Sequence, residues 1–148
     1  MIQSIEILKF DTDHGLGTRA RLGLIVLQTD QTIEHDFAHI FCNENDVSLH
    51  VARIPNAMEV SPETLRQMSI DLPRAAELLP SQFGFDVVGY GCTSGATLIG
   101  EEEVGKLIRD IHPKAATTNP ITATKAALSA LGTKKIALLT PYPVDVTM

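Results

Sequence analysis

The chain has 148 residues, of which 44% are hydrophobic and 20% are charged, a composition typical of one soluble globular domain with a substantial core. Its net charge of −6 argues against nucleic acids and anionic membrane surfaces as partners. Two cysteines provide no disulfide framework, and the sequence shows neither a signal-peptide layout nor an apolar run of membrane-spanning length. We therefore expect a cytoplasmic protein in which any anion site depends on local hydrogen-bond donors.

In the first half of the chain, apolar segments typical of strands alternate with segments of helical periodicity. The predicted elements are an edge strand at 5–10, a strand at 22–27, a helix at 32–41, a strand at 47–54 and a helix from 61 to about 79. That last helix has a strong start, with Ser61 as its N-cap, Pro62 at its first position and Glu63 favoured by the helix dipole. Pro73 is a position at which it would kink or split.

The second half continues the alternation. The predicted elements are strands at 86–91, 114–117 and 135–140, with helices at 100–111 and at 119–131, the last closed by Gly132. This order predicts an α/β protein of three layers, α/β/α, with right-handed crossovers. We expect a flavodoxin-like parallel sheet of strand order 2-1-3-4, with a fifth strand after it.

Cys92 is the most informative residue, because it follows a buried strand and begins a polar turn rich in glycine, threonine and serine. A thiol at the carboxyl end of a parallel strand, among free N–H groups and hydroxyls, can act as a nucleophile or a base. The alternative is that Cys92 is a small buried hydrophobic residue. In the predicted topology the polar loop that contains Thr29 and Asp30 faces Cys92, Thr93 and Ser94 across one crevice, which favours the functional interpretation.

Other candidates have weaker signals. His35 and His39 lie one helical turn apart, but without a third ligand they indicate a solvated helix face rather than a metal site. Asn119 is either the N-cap of the last helix or a residue at the border of the crevice. Arg53 either reaches an anion from the end of its strand or lies at the surface. The glycines around Cys92 match no dinucleotide or phosphate fingerprint, so we expect no cofactor and no metal.

The sequence resembles the aspartate/glutamate racemase superfamily, in particular its branch of maleate cis–trans isomerases and arylmalonate decarboxylases. The Cys-Thr-Ser-Gly element is the most specific part of the resemblance, which extends over nearly the whole chain from about Arg21. The segments that carry it are residues 23–26, 29–34, 53–55, 89–95 and 139–142. The resemblance implies a cofactor-free enzyme that acts beside a carboxylate of a small, usually dicarboxylic acid.

The resemblance also implies roles for single residues. Cys92 corresponds to the first of the two catalytic cysteines of the isomerases and racemases. Thr29 and Asp30 would hold one carboxylate, although many maleate isomerases carry asparagine where this chain has Asp30. Tyr142 matches an active-site tyrosine that can hydrogen-bond the substrate carboxylate. Thr93 and Ser94 would offer N–H groups and hydroxyls to the same anion. Asn119, from its place at the border of the crevice and not from the resemblance, is a further binding candidate.

The sequence departs from this family in length. Its members are about twice as long and consist of two similar halves, the second of which supplies the second cysteine. We therefore expect residues 1–132 to form the N-terminal α/β domain and residues 133–148 to begin a second domain. Cys42 is poorly placed to replace the missing thiol. A homodimer or a strand-swapped assembly would cover the last strand, and a carboxylate-binding module without turnover, or an inactive half, is the alternative function.

Overall fold

The computed structural model describes residues 6–142, and it consists of a parallel β-sheet with helices on both faces. Its strands are β1 (Ala20–Leu27), β2 (Val47–Ile54), β3 (Val87–Tyr90) and β4 (Ala116–Thr118). Its helices are α1 (Ile33–Ile40), α2 (Pro62–Glu77), α3 (Thr93–Ile99), α4 (Glu101–Arg109) and α5 (Pro120–Ala130), with a 3₁₀ turn at Ser81–Phe83. Within residues 6–142, no helix combines the length and the apolar character needed to cross a membrane.

The four strands are all parallel and follow the order β2-β1-β3-β4, which confirms the predicted flavodoxin-like topology. Leu24 of β1 lies opposite Val51 of β2 on one side and Gly89 of β3 on the other. Because β1 and β3 are neighbours that lead to helices α1 and α3, their carboxyl ends form the switch point at which ligands bind in this class of sheet. The loop after β1 and the loop after β3 therefore meet at one edge.

The main core lies between the sheet and helices α2, α3 and α4. Ile25, Ile54 and Val88 of the sheet are fully buried there and pack against Leu72 of α2 and Ile108 of α4. Burying side chains of this size contributes about 1.5–3 kcal/mol each. This face fixes the strand ends from which the site is built.

The opposite face of the sheet is covered less tightly. Helices α1 and α5 lie over it, and neither of them has a fully buried residue. Between them remains an apolar groove of about 220 Å³. It is lined by residues of the sheet and of both helices, among them Leu22, Leu24, Leu49, Val87, Ile33 and Phe37.

Helix α2 begins where the sequence predicts. The Ser61 hydroxyl accepts a hydrogen bond from the Thr64 N–H, and the Thr64 hydroxyl accepts one from the Ser61 N–H, which completes a capping box. Pro73 lies inside the helix, but the helix remains one element from Pro62 to Glu77. The expected split at Pro73 is therefore wrong, because the buried face that includes Leu72 and Ala76 continues across it.

Two predicted strands are wrong. Residues 6–10 form no strand, and Ile5, where the prediction begins, lies outside the described residues. Residues 135–140 also pair with no strand, and their apolar side chains are exposed, with Leu139 at 96%. The physical reason is the same for both segments, since a β-favouring sequence forms a stable strand only where a sheet edge and an apolar surface receive it.

Candidate functional site

Cys92 lies at the carboxyl end of β3 and is the N-cap of helix α3, a helix that the sequence does not predict. Its sulfur accepts a hydrogen bond from the Gly95 N–H at 3.3 Å, and the Ser94 hydroxyl lies 3.7 Å from the same sulfur. Cys92 is buried, with 4% of its surface exposed, whereas Cys42 is exposed. The local geometry therefore offers hydrogen-bond donors to a thiolate, but only limited access from solvent.

The sulfur of Cys92 faces a small cavity of about 40 Å³ between the β3–α3 turn and the segment that leads into α2. The cavity is lined by Leu27, Asn56, Ala57, Glu59, Val60, Thr64, Leu65, Met68, Cys92 and Ser94. A space of this volume holds a few water molecules at most.

The predicted partner loop, which contains Thr29 and Asp30, approaches this cavity through Asn56. The backbone N–H of Thr29 donates to Asn56 Oδ1 at 3.2 Å, and Asn56 itself lines the Cys92 cavity. The Asp30 carboxylate instead accepts hydrogen bonds from the N–H groups of Thr32 and Ile33, at 2.9 and 2.8 Å. Asp30 therefore caps helix α1, and its role in substrate binding stays a prediction.

Arg53 holds this loop from the neighbouring strand. One nitrogen of its guanidinium group, Nη1, donates to the backbone carbonyls of Leu27, Gln28 and Asp30 at 3.0, 3.2 and 2.9 Å. The other, Nη2, is paired with the Glu34 carboxylate at 2.6 Å. Arg53 is half-exposed, as the surface interpretation expects, but its donors are used to position the loop rather than to bind a free anion.

The remaining predicted binding residues lie in different surroundings. Asn119 is 6% exposed, and its Oδ1 accepts hydrogen bonds from the N–H groups of Ile121 and Thr122, both at 3.0 Å. It is therefore the N-cap of α5, and it also lines the apolar groove on the second face. Thr93 is exposed, and Tyr142 is half-buried against the main core. Of the predicted site residues, Cys92 and Ser94 share one cavity.

The histidine pair lies on an exposed stretch of helix α1. His35 and His39 are exposed on α1 with ring centres 4.4 Å apart, and His39 Nδ1 lies 3.2 Å from the His35 carbonyl oxygen. Among residues 6–142, no group of three or more histidine, cysteine, aspartate or glutamate side chains is placed to hold a metal ion.

Sequence reasoning missed two residues beside Cys92. Asn56 follows the end of β2 in an ordinary turn segment, and only the tertiary contact with Thr29 brings it to the cavity. Tyr90 is 1% exposed, lies two residues before Cys92 and belongs to the same core cluster. Its short separation from Cys92 in the sequence was the available signal for Tyr90.

No protein-family model and no curated protein matches this chain. Solved structures do match it in fold. A maleate isomerase from Pseudomonas putida S16 has a TM-score of 0.74 and 24% identity, over 86% of this chain and 56% of the other. A cysteine-to-serine mutant of the Nocardia farcinica maleate cis–trans isomerase, with a covalently bound succinylcysteine intermediate, has a TM-score of 0.74 and 23% identity, over 86% and 55%.

A third structure is a cysteine-to-alanine mutant of the Pseudomonas putida S16 enzyme with maleate, and it has a TM-score of 0.72 and 25% identity. The present chain therefore spans just over half the length of the structures that it matches. The chain has the fold of the maleate cis–trans isomerases, which confirms, in fold, its resemblance to that branch of the aspartate/glutamate racemase superfamily.

Proposed function

We propose that this chain carries the Cys92 part of a cofactor-independent isomerase that acts beside a carboxylate of a small dicarboxylic acid. One observation carries the proposal. The Cys92 sulfur accepts a hydrogen bond from the Gly95 N–H, and it lies at the switch point of a sheet with the fold of the maleate isomerases. The related enzyme with a succinylcysteine intermediate supports a reaction in which a thiolate attacks a carbon–carbon double bond.

The proposed reaction begins with a cis dicarboxylate such as maleate. The Cys92 thiolate forms a bond to one alkene carbon, and the π electron pair moves to the other carbon and its carboxylate. The remaining carbon–carbon single bond then rotates. When the electron pair returns, the double bond re-forms in the trans geometry, and the carbon–sulfur bond breaks to release the thiolate. Donors at the substrate carboxylate stabilise the charge that develops.

Substrate binding requires a change around the cavity. Its volume of about 40 Å³ does not accommodate a dicarboxylate, so in the proposed reaction residues 56–60 move away from Cys92. Met58 in this segment is 90% exposed, so few core contacts oppose the movement. Thr29, Asp30, Thr93, Ser94 and Tyr142 are the proposed carboxylate-binding residues.

The proposal includes a second acid–base group. The adduct of Cys92 and maleate can also be captured as a succinyl group instead of passing directly through rotation. In that case the carbon that does not bear sulfur gains a proton, and the proton must leave again before the carbon–sulfur bond breaks. Ser94 is the hydroxyl 3.7 Å from the Cys92 sulfur, but a serine is a weak acid and base at neutral pH. We propose that a part of the enzyme corresponding to the portion of the matched structures that this chain does not cover supplies this group.

The experiment measures the reactivity of the two cysteines in the same sample. Burial alone makes Cys92 alkylate more slowly than the exposed Cys42. We expect iodoacetamide to modify Cys92 about tenfold faster at pH 7, since a thiolate is the reactive form. Peptide mass spectrometry gives both rates, and incubation with maleate should add one succinyl group to Cys92, with solvent supplying the proton of the adduct. Slower alkylation of Cys92 than of Cys42 would overturn the proposal.

Matched variants locate the chemistry. Cys92→Ser should form no adduct, and Cys42→Ser should form it at the rate of the unsubstituted chain. If maleate raises the melting temperature of the chain without adduct or turnover, the chain is instead a carboxylate-binding module. The burial of Cys92, which is 4% exposed and so offers its sulfur little access to an alkene carbon, is the observation that favours this second function.

A further inference from the structure

Tyr90 is the large polar side chain beneath the Cys92 turn. It is the last residue of β3, is 1% exposed, and belongs to the same core cluster as Cys92. The mechanism proposed above does not use it. A buried phenol needs a hydrogen-bond partner for its O–H group, so its surroundings are informative.

The phenol oxygen and the cysteine sulfur meet at Gly95. A Cβ atom at Gly95 would lie 2.5 Å from Tyr90 Oη and 3.1 Å from Cys92 Sγ. Position 95 therefore requires glycine, because any side chain there would collide with the Tyr90 hydroxyl and crowd the Cys92 sulfur. The same glycine donates its N–H to the sulfur at 3.3 Å.

The partner of the phenol is a weak acceptor. Tyr90 Oη donates to Met68 Sδ at 3.7 Å, and a thioether sulfur accepts hydrogen bonds poorly. Burial raises the pKa of Tyr90, and the charge of a Cys92 thiolate raises that pKa further. The phenol therefore keeps its proton wherever the thiolate is present.

We propose that Tyr90 is a positioning residue for Cys92, because its phenol O–H donates to the cysteine sulfur once that sulfur is ionised. A thiolate is a stronger acceptor than a thioether, so ionisation of Cys92 redirects the O–H from Met68 to Cys92. Tyr90 and the Gly95 N–H then hold the thiolate from two sides and favour it over the thiol. This inference rests on the proposed thiolate chemistry of Cys92.

The test compares Tyr90→Phe with Met68→Leu in the full chain. The rate of Cys92 alkylation by iodoacetamide is measured against pH by peptide mass spectrometry, with Cys42 as the internal reference. We expect Tyr90→Phe to slow alkylation about tenfold at pH 7 and to move the midpoint of the profile to higher pH, with the same plateau at high pH. Met68→Leu removes only the competing acceptor and should leave the midpoint in place or move it to lower pH.

A second measurement keeps the side chain in place. The chain has two tyrosines, so in the variant Tyr142→Phe Tyr90 is the one tyrosine left. Biosynthetic replacement of tyrosine by 3-fluorotyrosine then makes this phenol more acidic and a stronger donor. We expect the midpoint to move to lower pH. If Tyr90→Phe lowers the melting temperature enough to expose Cys92, its alkylation rate no longer reports the role of the phenol, and the 3-fluorotyrosine measurement is the test.

The outcomes separate this inference from the proposed function. If Cys92 reacts faster than Cys42 but both Tyr90 replacements leave the midpoint unchanged, the positioning role is wrong and the thiolate chemistry stands. If the midpoint of the Cys92 profile in the unsubstituted chain lies no lower in pH than that of Cys42, no thiolate is stabilised and both proposals are overturned.

Discussion

At the scale of the residue, Asn119 illustrates how one side chain can satisfy two interpretations. Its Oδ1 caps α5 through two hydrogen bonds of 3.0 Å, as the capping interpretation expects. Its side chain also lies at the edge of the apolar groove, at the carboxyl end of β4. The capping role is a finding, and the binding role stays a prediction.

Replacing Asn119 tests the two roles separately. We expect Asn119→Ala to lower the free energy of unfolding by about 1–2 kcal/mol, because two N–H groups of α5 lose their acceptor. Asn119→Asp keeps a capping oxygen and should stay within about 0.5 kcal/mol of the unsubstituted chain. Urea denaturation measures both values. A loss as large in Asn119→Asp as in Asn119→Ala would contradict the capping role.

At the scale of the element, the conformation of the β1–α1 loop depends on a residue of another strand. Asp30 caps the helix that follows, but the carbonyls of Leu27, Gln28 and Asp30 are held by Arg53 of β2. A guanidinium group can satisfy several acceptors at once, whereas a lysine ammonium cannot copy this planar arrangement. The loop conformation therefore depends on the pairing of β1 with β2.

The contacts of the β1–α1 loop predict that replacing Arg53 lowers the free energy of unfolding more than replacing Arg66. Arg53→Met removes the donors to three loop carbonyls and the ion pair with Glu34, so we expect a loss of about 1–2 kcal/mol in the free energy of unfolding. Arg66 provides the matched control, because its ion pair with Glu63 is 3.8 Å long and exposed, and Arg66→Met should cost less than about 0.5 kcal/mol. Equal losses in denaturant unfolding would show that the loop contacts contribute nothing.

At the scale of the whole molecule, apolar surface is distributed unevenly. One face of the sheet is sealed by α2 and α4, while the other retains a groove of about 220 Å³. Residues 133–140 extend from α5 with apolar side chains exposed, among them Ile136 at 58% and Leu138 at 67%. Exposed apolar surface of this kind favours association.

We therefore expect the chain to self-associate as its concentration rises. Replacing Ile136 and Leu138 together by lysine should raise the dissociation constant at least about tenfold, because burying one such side chain contributes about 1.5–3 kcal/mol. Leu131→Lys is the control, since Leu131 is also exposed, at 78%, but lies outside the extended segment. Light scattering after size exclusion gives the masses, and a monomer at every concentration would refute the prediction.

The sequence by itself determined four of the strands and four of the helices in their order, the strand order 2-1-3-4, the cap at Ser61 and the place of Cys92 at a strand end. It left the cap at Asn119 as one of two interpretations. Periodicity, capping chemistry and handedness are local or general properties, so one sequence is sufficient to read them.

Only the tertiary structure decided which polar groups meet. Asn56 reaches the Cys92 cavity and Arg53 holds the opposite loop because strands distant in sequence pair side by side. The same dependence explains why residues 135–140, although apolar and β-favouring, form no strand. A strand, unlike a helix, depends on hydrogen bonds from another segment.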